Sequence, residues 1–189
     1  MKVGLYFGSF NPIHIGHLII GSYVAGHTDL QQVWFVVSPQ NPLKPSSALL
    51  NEYHRLHLVR LAVEDDQRLK ASDVEFKLPR PSYTIDTLAY LQEKYPQHEF
   101  SIIIGSDSFR NLPNWKNFEL LVGNYPFIIY KRPGFEITDT WHANTIILDA
   151  PMLDISATEI RNTIKAGKSI RYLVEEKVRE EIESNNYYK

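Results

Sequence analysis

Short unbroken apolar runs alternate along this chain with longer stretches whose apolar residues recur at helical spacing. Val3-Gly-Leu-Tyr-Phe7, Val33-Trp-Phe-Val-Val37, Phe100-Ser-Ile-Ile-Ile104, Phe127-Ile-Ile-Tyr130 and Thr145-Ile-Ile-Leu148 have the near-continuous apolarity of strands covered on both faces. Leu69–Leu78, with Val74, Phe76 and Leu78, reads as a weaker strand ended by Pro79-Arg-Pro81. Helices are predicted over Leu18–Ala25, Asn51–Glu64, Thr84–Tyr95 (stopped by Pro96), Trp115–Val122 (ending at Gly123), Ser156–Ala166 and Tyr172–Glu183. The three prolines within Pro39–Ser47 mark an ordered, non-helical loop. Residues Ser184–Lys189 read as a frayed tail, and neither an internal repeat nor a low-complexity linker interrupts the pattern.

Strands separated by helices imply βαβ units with right-handed crossovers. The predicted fold is α/β, a Rossmann-like doubly wound parallel sheet with helices on both faces. At 189 residues one domain is expected, residues 1–189, with the C-terminal helices of about 156–183 packed on the sheet as part of it. Such sheets bind ligands beyond the C-terminal ends of their strands, at the switch point. The loops Gly8–His17, Ser38–Pro45, Gly105–Asp107 and Lys131–Gly134 leave strand C-termini, so they should converge on one cleft.

Composition narrows the classes. A hydrophobic fraction of 43% and a charged fraction of 22% are ordinary for a globular chain. No apolar run approaches the roughly 20 residues that span a bilayer, and Met1-Lys2 leads directly into a strand with no cleavable apolar region. No membrane association and a cytoplasmic location are expected. The absence of cysteine excludes disulfides, thiolate catalysis and a cysteine-built zinc site. A net charge of −2 gives no broad field for nucleic acid, so an anionic ligand needs local cations. No feature fixes an oligomeric state, although a homodimer is compatible with the sequence.

The chemistry concentrates in Gly8-Ser-Phe-Asn-Pro-Ile-His14-Ile-Gly-His17, between the first strand and the first helix. A glycine-bearing turn into a helix aims backbone N–H groups and the positive end of the helix dipole at one point. His14 and His17 add two donors beside it, and Gly16 leaves the approach open. The arrangement suits a polyphosphate. An isolated pair of histidines would read as merely solvated, but the Gly-Ser-Phe-Asn-Pro lead-in reverses that reading. A zinc site lacks a third ligand at suitable spacing. Near the other end, Ser156 and Glu159 have the spacing of a capping box. The capped helix start is itself an anion site, and Arg161, one turn in, can reach it with a planar fork.

Phe7-Gly8-Ser9-Phe10-Asn11-Pro12-X-His14-X-Gly16-His17 resembles the signature of the nucleotidyltransferase superfamily, usually Gly-Gly-Thr/Ser-Phe-Asp-Pro-X-His-X-Gly-His. Phe7 replaces the first glycine and Asn11 the aspartate. Ile155-Ser-Ala-Thr-Glu-Ile-Arg161 resembles the family's Ile-Ser-Ser-Thr-X-Ile-Arg, with Ala157 for one serine. Three further stretches resemble the bacterial nicotinate-nucleotide adenylyltransferase family: Gly105-Ser-Asp107 followed by Leu112-Pro-Asn-Trp115, the Pro81-Ser-Tyr-Thr84 turn, and the loop Ser38-Pro-Gln-Asn-Pro-Leu-Lys44. With Ser169-Ile-Arg-Tyr-Leu-Val174, the likeness spans nearly the whole chain.

The resemblance implies a nucleotidyltransferase-type fold and an enzyme transferring the adenylyl group of ATP to nicotinate mononucleotide in NAD biosynthesis. It implies His14, His17 and Arg161 as catalytic residues. The histidines fall to the α- and β-phosphates, and Arg161 with Ser156 to the β- and γ-phosphates. Gly8, Ser9, Phe10, Gly16, Gly105, Asp107 and Arg132 complete the ATP side. Asn11, Lys44, Tyr83, Thr84 and Trp115 are assigned to the acceptor. Trp115 could stack on a pyridine ring or fill the core; Thr84 could meet the nicotinate carboxylate or cap its helix. Asp107 could hold ribose hydroxyls or a metal-bound water, or act as an N-cap. Lys44 and Arg132 could be ligand cations or surface charges. Mg²⁺ would arrive on the triphosphate rather than on protein ligands. Rival acceptors are nicotinamide mononucleotide and phosphopantetheine, and a non-catalytic nucleotide-binding regulator is the non-enzymatic alternative. The string His14-Ile-Gly-His17 also occurs in class I aminoacyl-tRNA synthetases, but this chain is too short and lacks their second motif.

Overall fold

The computed structural model describes residues 1–40 and 49–189. A six-stranded sheet forms the centre: β1 (Lys2–Gly8), β2 (Gln32–Val37), β3 (Leu69–Ser72), β4 (Glu99–Gly105), β5 (Phe127–Tyr130) and β6 (Thr145–Leu148). Its order is β3-β2-β1-β4-β5-β6, and every pairing is parallel. The chain winds outward from β1 to β3, returns beside β1 as β4, and winds outward the other way. The switch point therefore lies between β1 and β4.

Side-chain alternation divides the core between the two faces. On one, Phe35 and Val37 of β2, Ile103 of β4 and Ile128 of β5 join residues of α1 (Ile15–His27), α2 (Glu52–Val63), α6 (Ala157–Lys165) and α7 (Glu176–Ser184). On the other, Leu5, Val36, Ile102 and Ile129 meet α3 (Thr84–Lys94), α4 (Ser106–Arg110) and α5 (Phe118–Asn124). The helices supply apolar stripes at helical spacing, such as Leu56, Val59 and Val63 of α2 and Val178 and Ile182 of α7. Each fully buried aliphatic or aromatic side chain contributes about 1.5–3 kcal/mol. Among the described residues, no helix is long and apolar enough to cross a membrane.

The predicted α/β architecture is the one observed, with differences at particular elements. The strand expected over Leu69–Leu78 ends at Ser72, and Val74–Lys77 forms a 3₁₀ turn. This turn buries Glu75, which strand alternation would have placed on the polar face. Gly105-Ser-Asp107 enters helix α4 directly rather than remaining a loop. Trp115 precedes α5, which starts at Phe118 and runs through Gly123. The last helix begins at Glu176, four residues later than predicted, capped by the Glu175 carboxylate on the N–H groups of Lys177 and Val178. Strand β6 is the sheet edge, so Ile146 and Ile147 are 42% and 44% exposed. The tail does not fray: the Tyr187 hydroxyl and His54 Nδ1 are 2.9 Å apart, and Tyr188 packs on the core.

Candidate active site

Beyond Gly8 the chain turns sharply. Phe10 takes a left-handed backbone conformation, φ 45°, which costs a non-glycine residue on the order of 1–2 kcal/mol. Its ring holds it there, 2% exposed and packed against Tyr6, Phe35 and His17. A Cβ on Gly8 would come within 2.7 Å of that ring, so Gly8 makes room for Phe10. The Phe10 side chain, assigned above to ATP, supports the His17 imidazole from the core. Asn11, assigned to the acceptor, is 5% exposed and is engaged within the protein. Its Oδ1 accepts from the Leu50 N–H at 3.1 Å, and its carbonyl accepts from Arg161 at 2.7 Å.

His14 is the N-cap residue of α1, and His17 sits in the first turn. Their rings stack with centroids 3.7 Å apart and planes at 28°. A Cβ on Gly16 would meet the His14 ring at 3.1 Å, so the glycine accommodates the stack. Burial, followed by the nearby Arg132 guanidinium, lowers His14 to about 4; it is neutral at physiological pH. The His14 backbone N–H donates to His17 Nδ1 at 3.3 Å. A neutral His17 therefore carries its proton on Nε2.

Across the switch point, Gly105 is the N-cap of α4, and Asp107 lies in its first turn. A Cβ on Gly105 would strike Asp107 Oδ1 at 2.5 Å and Arg132 Nε at 2.9 Å. The glycine thus permits the 3.2 Å ion pair between those two side chains. Arg132 also lies over the Tyr130 ring, 5.5 Å from its centroid, and donates to the Tyr130 hydroxyl at 3.3 Å. It is half-buried rather than a free surface charge. On α6, Ser156 caps the helix by accepting from the Glu159 N–H, as its spacing predicts. Arg161 donates to Asn11 O and Thr158 Oγ1, tying α6 to the loop after β1 across 150 residues.

A cleft of about 520 Å³ opens beside this assembly. Gly8 and Ser9 form part of its wall, with Tyr83, Thr84, Asn111 and Trp115 also lining it. Trp115 is half-buried, with part of its surface on the core. Tyr83, not Thr84, is the N-cap of α3. The Asp86 and Thr87 N–H groups both bond the Tyr83 carbonyl, leaving those of Thr84 and Ile85 without an intrahelical acceptor. Lys116 lies 4.8 Å from the Tyr83 ring centroid. Lys44 lies outside the described residues.

The structure also identifies residues that motif reading passed over. Arg55, fully buried, donates to the carbonyls of Leu50, Ser9, Ser38 and Pro39. It thereby pins the loop after β1 to the end of β2. Its only sequence signal is an arginine on the apolar face of α2. Glu75 lies buried between two apolar residues in a stretch that reads as a strand. No sequence signal marks Glu75 as buried.

Residues 5–163 match the family model described as cytidylyltransferase-like. The chain is 52% identical over 189 residues to a protein of Cytophaga hutchinsonii and 50% identical over 192 residues to one of Flavobacterium johnsoniae. Both are named "probable nicotinate-nucleotide adenylyltransferase", and the matches cover 100% of this chain and 98% and 100% of the relatives. Among solved structures, the fold is similar to Plasmodium falciparum nicotinic acid mononucleotide adenylyltransferase complexed with NaAD. The TM-score is 0.83 at 22% identity, over 99% of this chain and 97% of that one. On the extent of these matches, the chain belongs to the nicotinate-nucleotide adenylyltransferase family within the cytidylyltransferase-like proteins.

Proposed function

We propose that this chain, acting in the cytoplasm as one domain of residues 1–189, transfers the adenylyl group of ATP to nicotinate mononucleotide. The products are nicotinate adenine dinucleotide and pyrophosphate. One observation carries the reading: the loop that delivers the stacked His14 and His17 also supplies, through Gly8 and Ser9, a wall of the cleft that holds Trp115. A phosphate-binding element and a flat aromatic surface thus share one short connection.

A phosphate oxygen of the mononucleotide attacks the α-phosphorus of ATP, a P–O bond forms, and the bond to the β-phosphate oxygen breaks as pyrophosphate leaves. The attacking oxygen is already anionic near neutral pH, so neither a general base nor a covalent nucleophile is needed. Catalysis rests on alignment and on donors aimed at the phosphoryl oxygens. His14 and His17 serve the α- and β-phosphates. Arg161 and Ser156 serve the β- and γ-phosphates. Gly105, Asp107 and Arg132 face the nucleotide from the β4 and β5 ends. Trp115 stacks on the pyridine ring, and Tyr83 and Thr84 present the start of α3 to the nicotinate carboxylate, where the dipole favours an anion. Lys44 neutralises the acceptor phosphate. The donors facing the triphosphate are imidazoles, guanidinium groups and a hydroxyl, a set that fits phosphate oxygens and leaves Mg²⁺ to be carried on the triphosphate. When bound there, the ion offsets charge on the leaving pyrophosphate.

The test is pyrophosphate release from ATP with nicotinate mononucleotide, nicotinamide mononucleotide and phosphopantetheine in parallel. Turnover with the first far above the other two is expected. Equal turnover with the two pyridine nucleotides removes the carboxylate assignment, and no turnover with any acceptor removes the enzyme.

A further inference from the structure

Glu75 is a buried carboxylate that the proposed chemistry leaves unused. It is 2% exposed, and its hydrogen-bond partners are two hydroxyls. Ser82 Oγ donates to Oε2 at 2.7 Å, and Thr87 Oγ1 donates to Oε1 at 3.0 Å. Burial raises the carboxyl above its ordinary range, while the neighbouring hydroxyls pull it back. Glu75 sits in the 3₁₀ turn after β3, whereas Ser82 precedes α3 and Thr87 lies in its first turn. Ser82 and Ser38 line the cleft together with Glu75, Tyr83 and Thr84.

We propose that Glu75 is a positioning residue for the acceptor, fixing the N-terminus of α3, through Ser82 and Thr87, against the 3₁₀ turn that follows β3. The inference rests on the adenylyl-transfer reading above. Tyr83 caps α3 with no side-chain hydrogen bond of its own, so the direction of the helix start is set from outside. A carboxylate suits the task because it accepts only, and both of its partners arrive with a hydroxyl proton. An amide at the same position turns two N–H donors toward hydroxyls, so at least one contact must reverse or break.

Glu75→Gln preserves the shape, and Thr87→Val removes one donor at nearly constant volume. Steady-state kinetics with ATP and nicotinate mononucleotide, alongside thermal unfolding, separate positioning from packing. The expected result for Glu75→Gln is a rise of about tenfold in KM for the mononucleotide, with KM for ATP within twofold of wild type. Thr87→Val should shift the same constant in the same direction by a smaller factor. A residue that only supports the fold would lower Tm and the active fraction without separating the two constants. Unchanged acceptor KM in folded Glu75→Gln, or equal shifts for both substrates, overturns the proposal. If Glu75→Gln does not fold, a wild-type acceptor KM in Thr87→Val overturns it instead. Failure of the wild-type protein to turn over the mononucleotide would be a failure of the proposed reaction, and the acceptor role of Glu75 falls with it.

Discussion

Replacing His14 with Asn should remove an acid sensitivity that the folded protein owes to one imidazole. His14 titrates near 6.5 in an unfolded chain and at about 4 in the folded protein, because burial and then Arg132 oppose its charged form. Below the unfolded value, the unfolded chain binds a proton that the folded chain refuses. Stability is therefore complete above about pH 6.5 and is lost as pH falls toward 4. A depression of about 2.5 units at roughly 1.36 kcal/mol each gives ~3 kcal/mol in total, of which about 2 kcal/mol is gone by pH 5. Asn is the right probe because it is a favourable N-cap residue and carries no titrating group. Urea unfolding of wild type and His14→Asn at several pH values between 7.5 and 5 isolates this contribution, since the other carboxylates and histidines cancel in the difference. The wild type should lose about 2 kcal/mol more than the variant over that range. Parallel curves, or an imidazole proton resonance of His14 titrating near pH 6.5 in the folded protein, would refute a buried, neutral His14.

Three other substitutions address the chemistry. His17→Ala should cost about 2–4 kcal/mol of transition-state stabilisation, by analogy with loss of an oxyanion donor, with the fold retained by circular dichroism; wild-type turnover would remove His17 from the mechanism. Trp115→Ala should raise KM for the mononucleotide far more than KM for ATP, and equal effects would make it a packing residue. Arg161→Lys keeps the charge but loses the fork that spans Asn11 O and Thr158 Oγ1. Its ATP affinity should fall at least tenfold in isothermal titration, which corresponds to about 1.4 kcal/mol, and unaltered affinity would confine Arg161 to joining α6 to the phosphate loop.

The backbone setting of the candidate site was legible where its parts are local. The strand–turn–helix passage from Gly8 to His17 and the Ser156 cap depend on neighbours a few residues away, and sequence order encodes those neighbours directly. Boundaries were less legible where a local rule had two outcomes. Val74, Phe76 and Leu78 alternate as a strand would, yet β3 ends at Ser72 and the 3₁₀ turn brings Glu75 inside. The capping alternatives for Thr84 and Asp107 also resolved one or two residues away, onto Tyr83 and Gly105. An N-cap is identified by where the backbone turns helical, and side-chain preference alone left that open.

By itself, the sequence determined the alternation of strands and helices, the doubly wound class and the capped helix starts at His14 and Ser156. Apolar periodicity and helix-start chemistry are short-range properties, so one dimension is enough to express them. Tertiary structure alone decided that Arg55 and Glu75 could be buried, that Asp107 would pair with Arg132, and that Asn11 would receive Arg161 from 150 residues away. A charged group is tolerated inside only where several partners converge on it. Here those partners are carbonyls and hydroxyls from separate elements, which come together only when the sheet has formed.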